Sequence, residues 1–307
     1  MSDEVISPRR MLVRFWGVRG SYPSPGAATV RYGGNTSCVE VVCGDTRLVI
    51  DAGTGIRRLG RHLEAGSPVH LLLSHTHWDH VQGLPFFKPI YREGERLTIY
   101  ALERHRQSLR EIISGLWAEA FFPVRMDELA AQREFVEVRA GETFHIGPVT
   151  VRTARLNHPY IAIGYRIEHA GRTVTYVSDT APFRDLLLET EVVMDRPDLT
   201  RALPPETRRQ LDEMEANVVS LAKDADLLIY DTQFTETEYA DRPHWGHSTP
   251  AVGLAVAMAA RARRLMLFHH APDRADDAMD VILTETRKLA HDGVIIDAAY
   301  EGLEVEL

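Results

Sequence analysis

The residues best suited to chemistry lie in one short run, Ser74-His75-Thr76-His77-Trp78-Asp79-His80. Its imidazole and carboxylate side chains follow the order His-x-His-x-Asp-His. Neutral imidazole nitrogen and carboxylate oxygen are the natural ligands of zinc and related divalent metals. Four such groups, joined by ligands from elsewhere in the chain, exceed what one closed structural site needs. The spacing therefore predicts a two-metal site, and with it hydrolysis.

The elements around this run indicate how further ligands could reach it. The run follows residues 69–73, a short apolar stretch typical of a buried strand. Three other polar sites lie directly after a strand-like stretch or at a sharp turn, and they contain His158, Asp179 and the pair His269-His270. If these strands run side by side, the side chains at their ends converge.

The whole chain alternates short β-like runs with amphipathic helices, without a tandem repeat or low-complexity segment. One domain over residues 1–307 is the simplest organisation, with an insertion around residues 187–205, where mixed charges and prolines accumulate. Helices are predicted over residues 56–64, 104–117, 206–221, 249–260 and 277–289. Strands are predicted over residues 11–16, 37–43, 47–50, 69–73, 97–101, 149–155, 161–168, 173–177, 227–230, 265–268, 294–296 and 303–305.

Composition indicates an ordinary globular protein, with 44% hydrophobic and 26% charged residues. No apolar stretch approaches the roughly 18 residues that cross a bilayer, and the acidic start lacks the order of a signal peptide. We therefore predict a cytoplasmic protein without a membrane partner. Cys38 and Cys43 share one predicted strand, about 16 Å apart, which is too far for a disulfide.

The charge balance bears on the partners. Lysine and arginine number 35 against 44 aspartate and glutamate residues, which gives a formal net charge of −9. Long nucleic acids favour basic surfaces, so we predict a small anionic phosphodiester substrate and no large nucleic acid partner. A homodimer is compatible with the sequence.

The order of these motifs resembles the metallo-β-lactamase superfamily, from Phe15 to His270. The resemblance implies an α/β fold, a four-layer αββα sandwich, with two divalent metal ions. Zinc is the first expectation, with manganese or iron as alternatives. Carried over by position, the first metal's ligands are His75, His77 and His158; the second metal's are Asp79, His80 and His269; Asp179 bridges both. His269 is chosen over His270 because it directly follows the strand, and the choice stays open.

A second set of motifs resembles the phosphodiesterase branch of the superfamily, which includes tRNase Z, phosphoribosyl cyclic phosphate phosphodiesterases and cyclic-nucleotide phosphodiesterases. The segments Tyr230-Asp231-Thr232-Gln233-Phe234 and His244-Trp245-Gly246-His247-Ser248-Thr249 carry this likeness. In tRNase Z a glutamate takes the place of Asp231 and helps a histidine matching His247 to protonate the leaving group. The catalytic residues expected from the resemblance are Asp79, Asp231 and His247.

Two glycine-rich N-terminal segments also look like loops of this branch. They suggest Arg19, Asn35 and Thr36 as substrate-binding residues, with Arg31 a further candidate phosphate contact. An equally good interpretation is that the glycines simply build tight turns.

The predicted function is that of a dinuclear metal-dependent phosphodiesterase, hydrolysing a small cyclic or diester phosphate by attack of a metal-bridging hydroxide. The first alternative is a metal-dependent ester, thioester or lactone hydrolase, and the second is a tRNase Z-like ribonuclease. A long glycine- and proline-rich arm of the kind tRNase Z uses is not evident, which places the ribonuclease second. A di-iron redox module is disfavoured because flavodiiron-type relatives usually place Glu where this chain has His77. A non-catalytic scaffold is disfavoured because the metal-ligand set is complete.

Overall fold

The computed structural model describes residues 10–104, 106–184, 186–188, 202–291 and 293–307. The predicted insertion around residues 187–205 falls mostly on residues 189–201, which lie outside the described residues. The expectation of one domain therefore stays a prediction.

Strands make up the centre of the structure. In chain order they are β1 Met11–Gly17, β2 Cys38–Cys43, β3 Thr46–Ile50, β4 Val69–Leu72, β5 Arg96–Leu102, β6 Gln132–Val138, β7 Thr143–Ile146, β8 Val149–Leu156, β9 Ala162–His169, β10 Arg172–Val177, β11 Leu227–Asp231, β12 Arg264–Phe268, β13 Ile295–Ala298 and β14 Glu304–Glu306. The helices are α1 Ile56–His62, α2 Trp78–Val81, α3 Leu109–Ser114, α4 Pro205–Ala222, α5 Glu236–Asp241, α6 Pro250–Ala259 and α7 Asp276–Leu289.

The strands form two sheets of seven, in the orders β14-β1-β2-β3-β4-β5-β6 and β13-β12-β11-β10-β9-β8-β7. Each sheet has an antiparallel half and a parallel half. In the first sheet β3, β4, β5 and β6 are parallel. In the second sheet β10, β11, β12 and β13 are parallel. Parallel strands need crossover connections, and helices supply several of them here.

The two sheets enclose one apolar core, which contains Phe15, Ile50, Tyr165, Tyr176 and Phe268. A second apolar cluster lies between the first sheet and helices α1 and α3, and a third lies between the second sheet and helices α4, α6 and α7. This layering confirms the predicted four-layer αββα sandwich.

The helix predicted over residues 104–117 is shorter in the structure. Its α-helical part is α3, and a 3₁₀ turn, Gly115–Trp117, follows. The Ser108 hydroxyl accepts a hydrogen bond from the Glu111 amide, and the Glu111 carboxylate accepts one from the Ser108 amide. This reciprocal cap satisfies amide groups that would otherwise lack partners, so the helix begins after Ser108. Strands β6 and β7 were not predicted.

No helix in the described part of the chain is long and apolar enough to cross a membrane.

The central core provides a test of this packing. Ile167 on β9 is fully buried between the sheets, whereas Ile295 on β13 is 51% exposed. We expect Ile167→Ala to lower the free energy of unfolding by about 2–5 kcal/mol, because it leaves a cavity. The matched Ile295→Ala should change it by about 0.5 kcal/mol. Urea denaturation followed by circular dichroism measures both, and equal losses would contradict the proposed layers.

Candidate metal centre

The polar side chains of the centre follow strands whose carboxyl ends lie at one edge of the two sheets. Open α/β sheets bind ligands at this edge, because the chain leaves each strand there and can turn in different directions. The residues and the strands that precede or contain them are Asp51 after β3, the histidine run after β4, His158 after β8, Asp179 after β10, Asp231 at the end of β11 and His269 after β12.

Three of these residues adopt a left-handed backbone conformation directly after their strands. The φ angles are 61° at Asp51, 56° at Asp179 and 60° at His269. Among non-glycine residues, Asp, Asn and His are enriched in this conformation, although it costs about 1–3 kcal/mol. The backbone therefore turns sharply at these three strand ends, and the three side chains contact other residues of the centre.

The first group consists of His75, His77 and His158. Each offers one nitrogen, and these nitrogen atoms lie within 4.8 Å of one another. His158 Nε2 is 3.0 Å from His77 Nδ1. His75 and His158 are buried and His77 is partly exposed, so the group opens to solvent on the side of His77.

The second group consists of Asp79, His80, Asp179 and His269, all of them buried. His269 Nε2 lies 3.2 Å from Asp79 Oδ2 and 3.1 Å from Asp179 Oδ1. The other oxygen of Asp179, Oδ2, is 3.7 Å from both His75 Nε2 and His158 Nε2. Asp179 therefore directs one carboxylate oxygen toward each group.

The donor set fits divalent metal ions. His75 Nε2 and His80 Nε2 are buried and make no hydrogen bond with the described residues. Burial lowers the pKa of His158 to about 3, and that of His75 well below its usual value, so both imidazoles are neutral. Burial also lowers the pKa of His80, but the nearby carboxylates of Asp179, Asp79 and Asp51 hold it well above its usual value. A divalent cation would supply the positive charge that these carboxylates favour.

Asp51 is hydrogen-bonded to His80 of the second group, and the sequence did not identify it as a site residue. His80 Nδ1 donates a hydrogen bond of 2.7 Å to Asp51 Oδ2, which turns Nε2 of the same ring toward the group. Asp51 also accepts hydrogen bonds from the Ser74 amide at 2.8 Å and the Tyr176 hydroxyl at 2.7 Å. Carboxylates of this kind fix the orientation of a metal-binding histidine. The available signal was its position, since Asp51 directly follows the apolar end of a predicted strand.

Asp231 and His247 lie against both groups. His247 Nδ1 is 3.1 Å from Asp231 Oδ2, and the His247 ring stacks on that of His269 with centroids 5.0 Å apart. Asp231 also accepts hydrogen bonds from the Thr180 and Gln233 amides. Burial lowers the pKa of His247, but the charge and hydrogen bond of Asp231 raise it above its usual value. His247 can therefore hold a proton in a buried site.

The structure separates His269 from His270. The Nε2 of His270 donates a hydrogen bond of 2.8 Å to the Ala299 carbonyl, and its ring lies edge-on to Tyr32. Burial lowers the pKa of His270 to about 3. His269 alone of the pair lies among the seven residues of the two groups.

The residues suggested for substrate binding make hydrogen bonds within the protein. Arg19 is fully buried and donates hydrogen bonds to the carbonyls of Gly33, Ala271 and Arg274. Asn35 donates from its backbone and side-chain amides to Glu301. Thr36 and Thr54 each donate a backbone amide to the other's hydroxyl. These contacts tie loops together and account for most of the hydrogen bonds of the three residues, so their assignment to substrate binding stays a prediction.

Arg31, the further candidate, pairs with carboxylates of α7. Its guanidinium lies 2.5 Å from Asp277 and 2.7 Å from Asp280. Gly33 has a φ of 103°, as the tight-turn interpretation expects. At Gly20 the backbone passes so close to His269 that a Cβ would lie 2.4 Å from its ring.

The αββα fold and a His- and Asp-lined centre at its strand ends define a metallohydrolase of the β-lactamase type. The family model described as "Beta-lactamase superfamily domain" matches residues 46–200. The chain belongs to this superfamily, and the predicted fold and family are confirmed.

Three known proteins match this chain over nearly its whole length. A protein of Haloarcula marismortui named ribonuclease Z is 27% identical, over 96% of this chain and 96% of that protein. Human tRNase Z, short form, has a TM-score of 0.64 and 20% identity, over 96% of this chain and 98% of that one. A diphosphatase of the PhnP family has a TM-score of 0.64 and 17% identity, over 97% and 98%. At these identities the two solved structures show the fold alone.

The family match and the relatives named ribonuclease Z confirm the phosphodiesterase branch and the predicted class, a metal-dependent phosphoric diester hydrolase. They also show that the prediction of no large nucleic acid partner is wrong, because the relatives carry the name ribonuclease Z. The net charge of −9 sums over the whole surface and does not report the local field at a metal centre. Divalent metal is indicated by the fold and by the two groups of residues.

The hydrogen bond between Asp51 and His80 yields a direct test. We expect Asp51→Asn to lower metal affinity by about 10–100-fold, because an amide no longer holds the His80 ring as a carboxylate does. Equilibrium dialysis with zinc or manganese, followed by elemental analysis, measures the affinity. The control is Asp45→Asn, the same change at an exposed position on the β2–β3 turn. Equal affinities of the two variants would contradict the positioning role of Asp51.

Proposed function

We propose that this protein is a dinuclear-metal phosphodiesterase that cleaves RNA as its ribonuclease Z relatives do. The observation that carries the proposal is the contact of 3.1 Å between Asp231 and His247, placed against two groups of metal-binding residues. Hydrolysis of a carboxylic ester does not require such a proton-donating pair, whereas departure of a ribose alkoxide does.

The proposed ligands would hold two divalent ions, with zinc the first expectation. His75, His77 and His158 form one site, and Asp79, His80 and His269 form the other. Asp179 would contribute to both sites, since its two oxygens face different groups. When bound, paired ions activate a water nucleophile and stabilise negative charge on phosphoryl oxygens.

His247 acts as the general acid. Its Nδ1 faces Asp231, so its Nε2 lies on the opposite side of the ring and can donate a proton to the leaving oxygen. Asp231 keeps the proton on Nδ1, orients the ring and favours its charged form. Aspartate therefore reaches His247 here although it is one methylene shorter than glutamate.

A small cyclic or diester phosphate is the second candidate substrate. The same residues act on the phosphodiester group itself, whatever it is attached to. The PhnP-family diphosphatase among the structural neighbours has the same fold.

The substrate class is tested with purified protein and defined zinc or manganese. We expect metal-dependent hydrolysis of bis(p-nitrophenyl) phosphate and cleavage of a precursor tRNA transcript and of short single-stranded RNA, each lost on chelation. Gel electrophoresis and absorbance measure the products. Hydrolysis of cyclic nucleotides without RNA cleavage would favour the second candidate. Activity on lactones or thioesters, without any diester hydrolysis, would overturn the proposal.

The role of His247 predicts an effect that depends on the leaving group. We expect His247→Ala to slow RNA cleavage by about 10²–10⁴-fold, because the departing ribose alkoxide needs a proton. Hydrolysis of bis(p-nitrophenyl) phosphate should fall far less, since p-nitrophenolate leaves unprotonated. Single-turnover rates on both substrates give the ratio, and Asp231→Asn should shift it in the same direction. His62→Ala, at an exposed histidine, is the control. An equal loss on both substrates would exclude proton donation by His247.

A further inference from the structure

Exposed aromatic side chains cluster in sequence around the residues of the centre. Single exposed apolar side chains are ordinary, but several around one site mark a binding surface. The four, with their exposed fractions, are Tyr22 at 48%, Trp78 at 64%, Tyr160 at 47% and Trp245 at 50%. Tyr160 contacts His77 of the first group, and Trp245 is linked to His247 through Phe234.

Tyr160 lies at the open side of the first group. Its ring is edge-on to the partly exposed ring of His77, with centroids 5.8 Å apart. Tyr160 and Ile161 have φ angles of 60° and 61°, a costly backbone conformation, which is rarer still for a β-branched residue such as Ile161. The Arg104 guanidinium donates a hydrogen bond of 3.3 Å to the Tyr160 carbonyl. A strained turn thus presents an aromatic ring beside a cationic side chain.

Trp245 lies on the side of the general acid. Its ring is 6.3 Å from that of Phe234, which in turn is 5.6 Å from the His247 ring. The Arg242 guanidinium lies 5.6 Å from the Trp245 ring centroid, a cation–π distance. The next residue, Gly246, accepts a hydrogen bond from His158 Nδ1, which fixes this loop to the centre.

The two rings are linked to two different residues, His77 and His247, that both neighbour His158. Its ring centroid is 4.9 Å from that of His77, which contacts Tyr160, and 5.5 Å from that of His247, which is linked to Trp245 through Phe234. A phosphodiester held at the metal groups and His247 therefore has one exposed aromatic ring beside His77 and another linked to His247. The two arginines beside these rings match the negative charge of a nucleic acid backbone.

We propose that Tyr160 and Trp245 are stacking platforms for the nucleobases on the two sides of the cleaved phosphodiester. The proposal rests on the RNA-cleaving function above and specifies its substrate as a single-stranded segment with a base on each side of the bond. Aromatic rings bind any base by stacking, so the preference is for unpaired bases and not for a sequence. A cyclic mononucleotide has one base and can use only one platform.

The test compares bases and rings in a double-mutant cycle. The substrates are a short single-stranded RNA of defined sequence and the same RNA with abasic residues on both sides of the mapped cleavage bond. The variants are Tyr160→Ala, Trp245→Ala and the stacking-competent Tyr160→Phe and Trp245→Phe. Phe121→Ala, at an aromatic residue that is 86% exposed, is the control.

We expect each alanine variant to lower kcat/KM for the intact RNA by about tenfold to hundredfold, chiefly through KM. The phenylalanine variants should keep most of the wild-type value, and Phe121→Ala should equal it. On the abasic RNA the alanine variants should differ little from wild type, because there is no base to stack. Equal losses on intact and abasic RNA, or none on either, would overturn the stacking proposal while leaving RNA cleavage intact. A wild-type protein that cleaves no RNA would instead refute the proposed function and the platforms with it.

Discussion

The structure of the centre depends on how buried charge is compensated. Four residues with carboxylate side chains, Asp51, Asp79, Asp179 and Asp231, are at most 5% exposed. Burying unpaired carboxylates would cost several kcal/mol each, so their placement requires positive partners within contact distance. Despite their burial, His80 and His247 have a raised pKa because of the nearby carboxylates, whereas burial lowers the pKa of His75 and His158. The remaining negative charge is what makes the centre suited to divalent cations.

The fold satisfies this requirement through strand direction. Because β3, β4, β8, β10, β11 and β12 end at one edge, residues distant in sequence reach one volume without long loops. At Asp51, Asp179 and His269 the backbone takes a left-handed conformation. A helical or extended backbone at these positions would turn the side chains away from the centre. Core packing of β12, through Phe268 against Phe15 and Tyr176, fixes the position from which His269 turns. The strands that form the apolar core therefore lead directly into the residues of the metal groups.

The sequence predicts much of this because strand periodicity and polar strand ends are local signals. It identifies β4 with its histidine run, and it identifies Asp179, which follows β10, and His269, which follows β12. The sequence does not predict the role of a side chain whose hydrogen-bond partner is distant along the chain. Arg19 has the chemistry of a phosphate ligand, but carbonyls near residues 33 and 274 occupy its guanidinium. Asp51 was overlooked because its partner, His80, is 29 residues away. The residue types alone do not reveal such pairings.

The prediction about nucleic acid partners failed for a related reason. The net charge of the whole chain was used to describe the surface around the metal centre. A net charge of −9 is compatible with a local field of opposite sign, because carboxylates are paired elsewhere, as Asp276, Asp277 and Asp280 are around Arg31. Around the centre, the positive side chains Arg104 and Arg242 lie beside exposed aromatic rings. Recognition of a short segment needs only this local surface, and stacking is a short-range contact that depends little on the distant acidic residues. Partner class is therefore better inferred from the side chains within reach of the catalytic residues than from the composition of the chain.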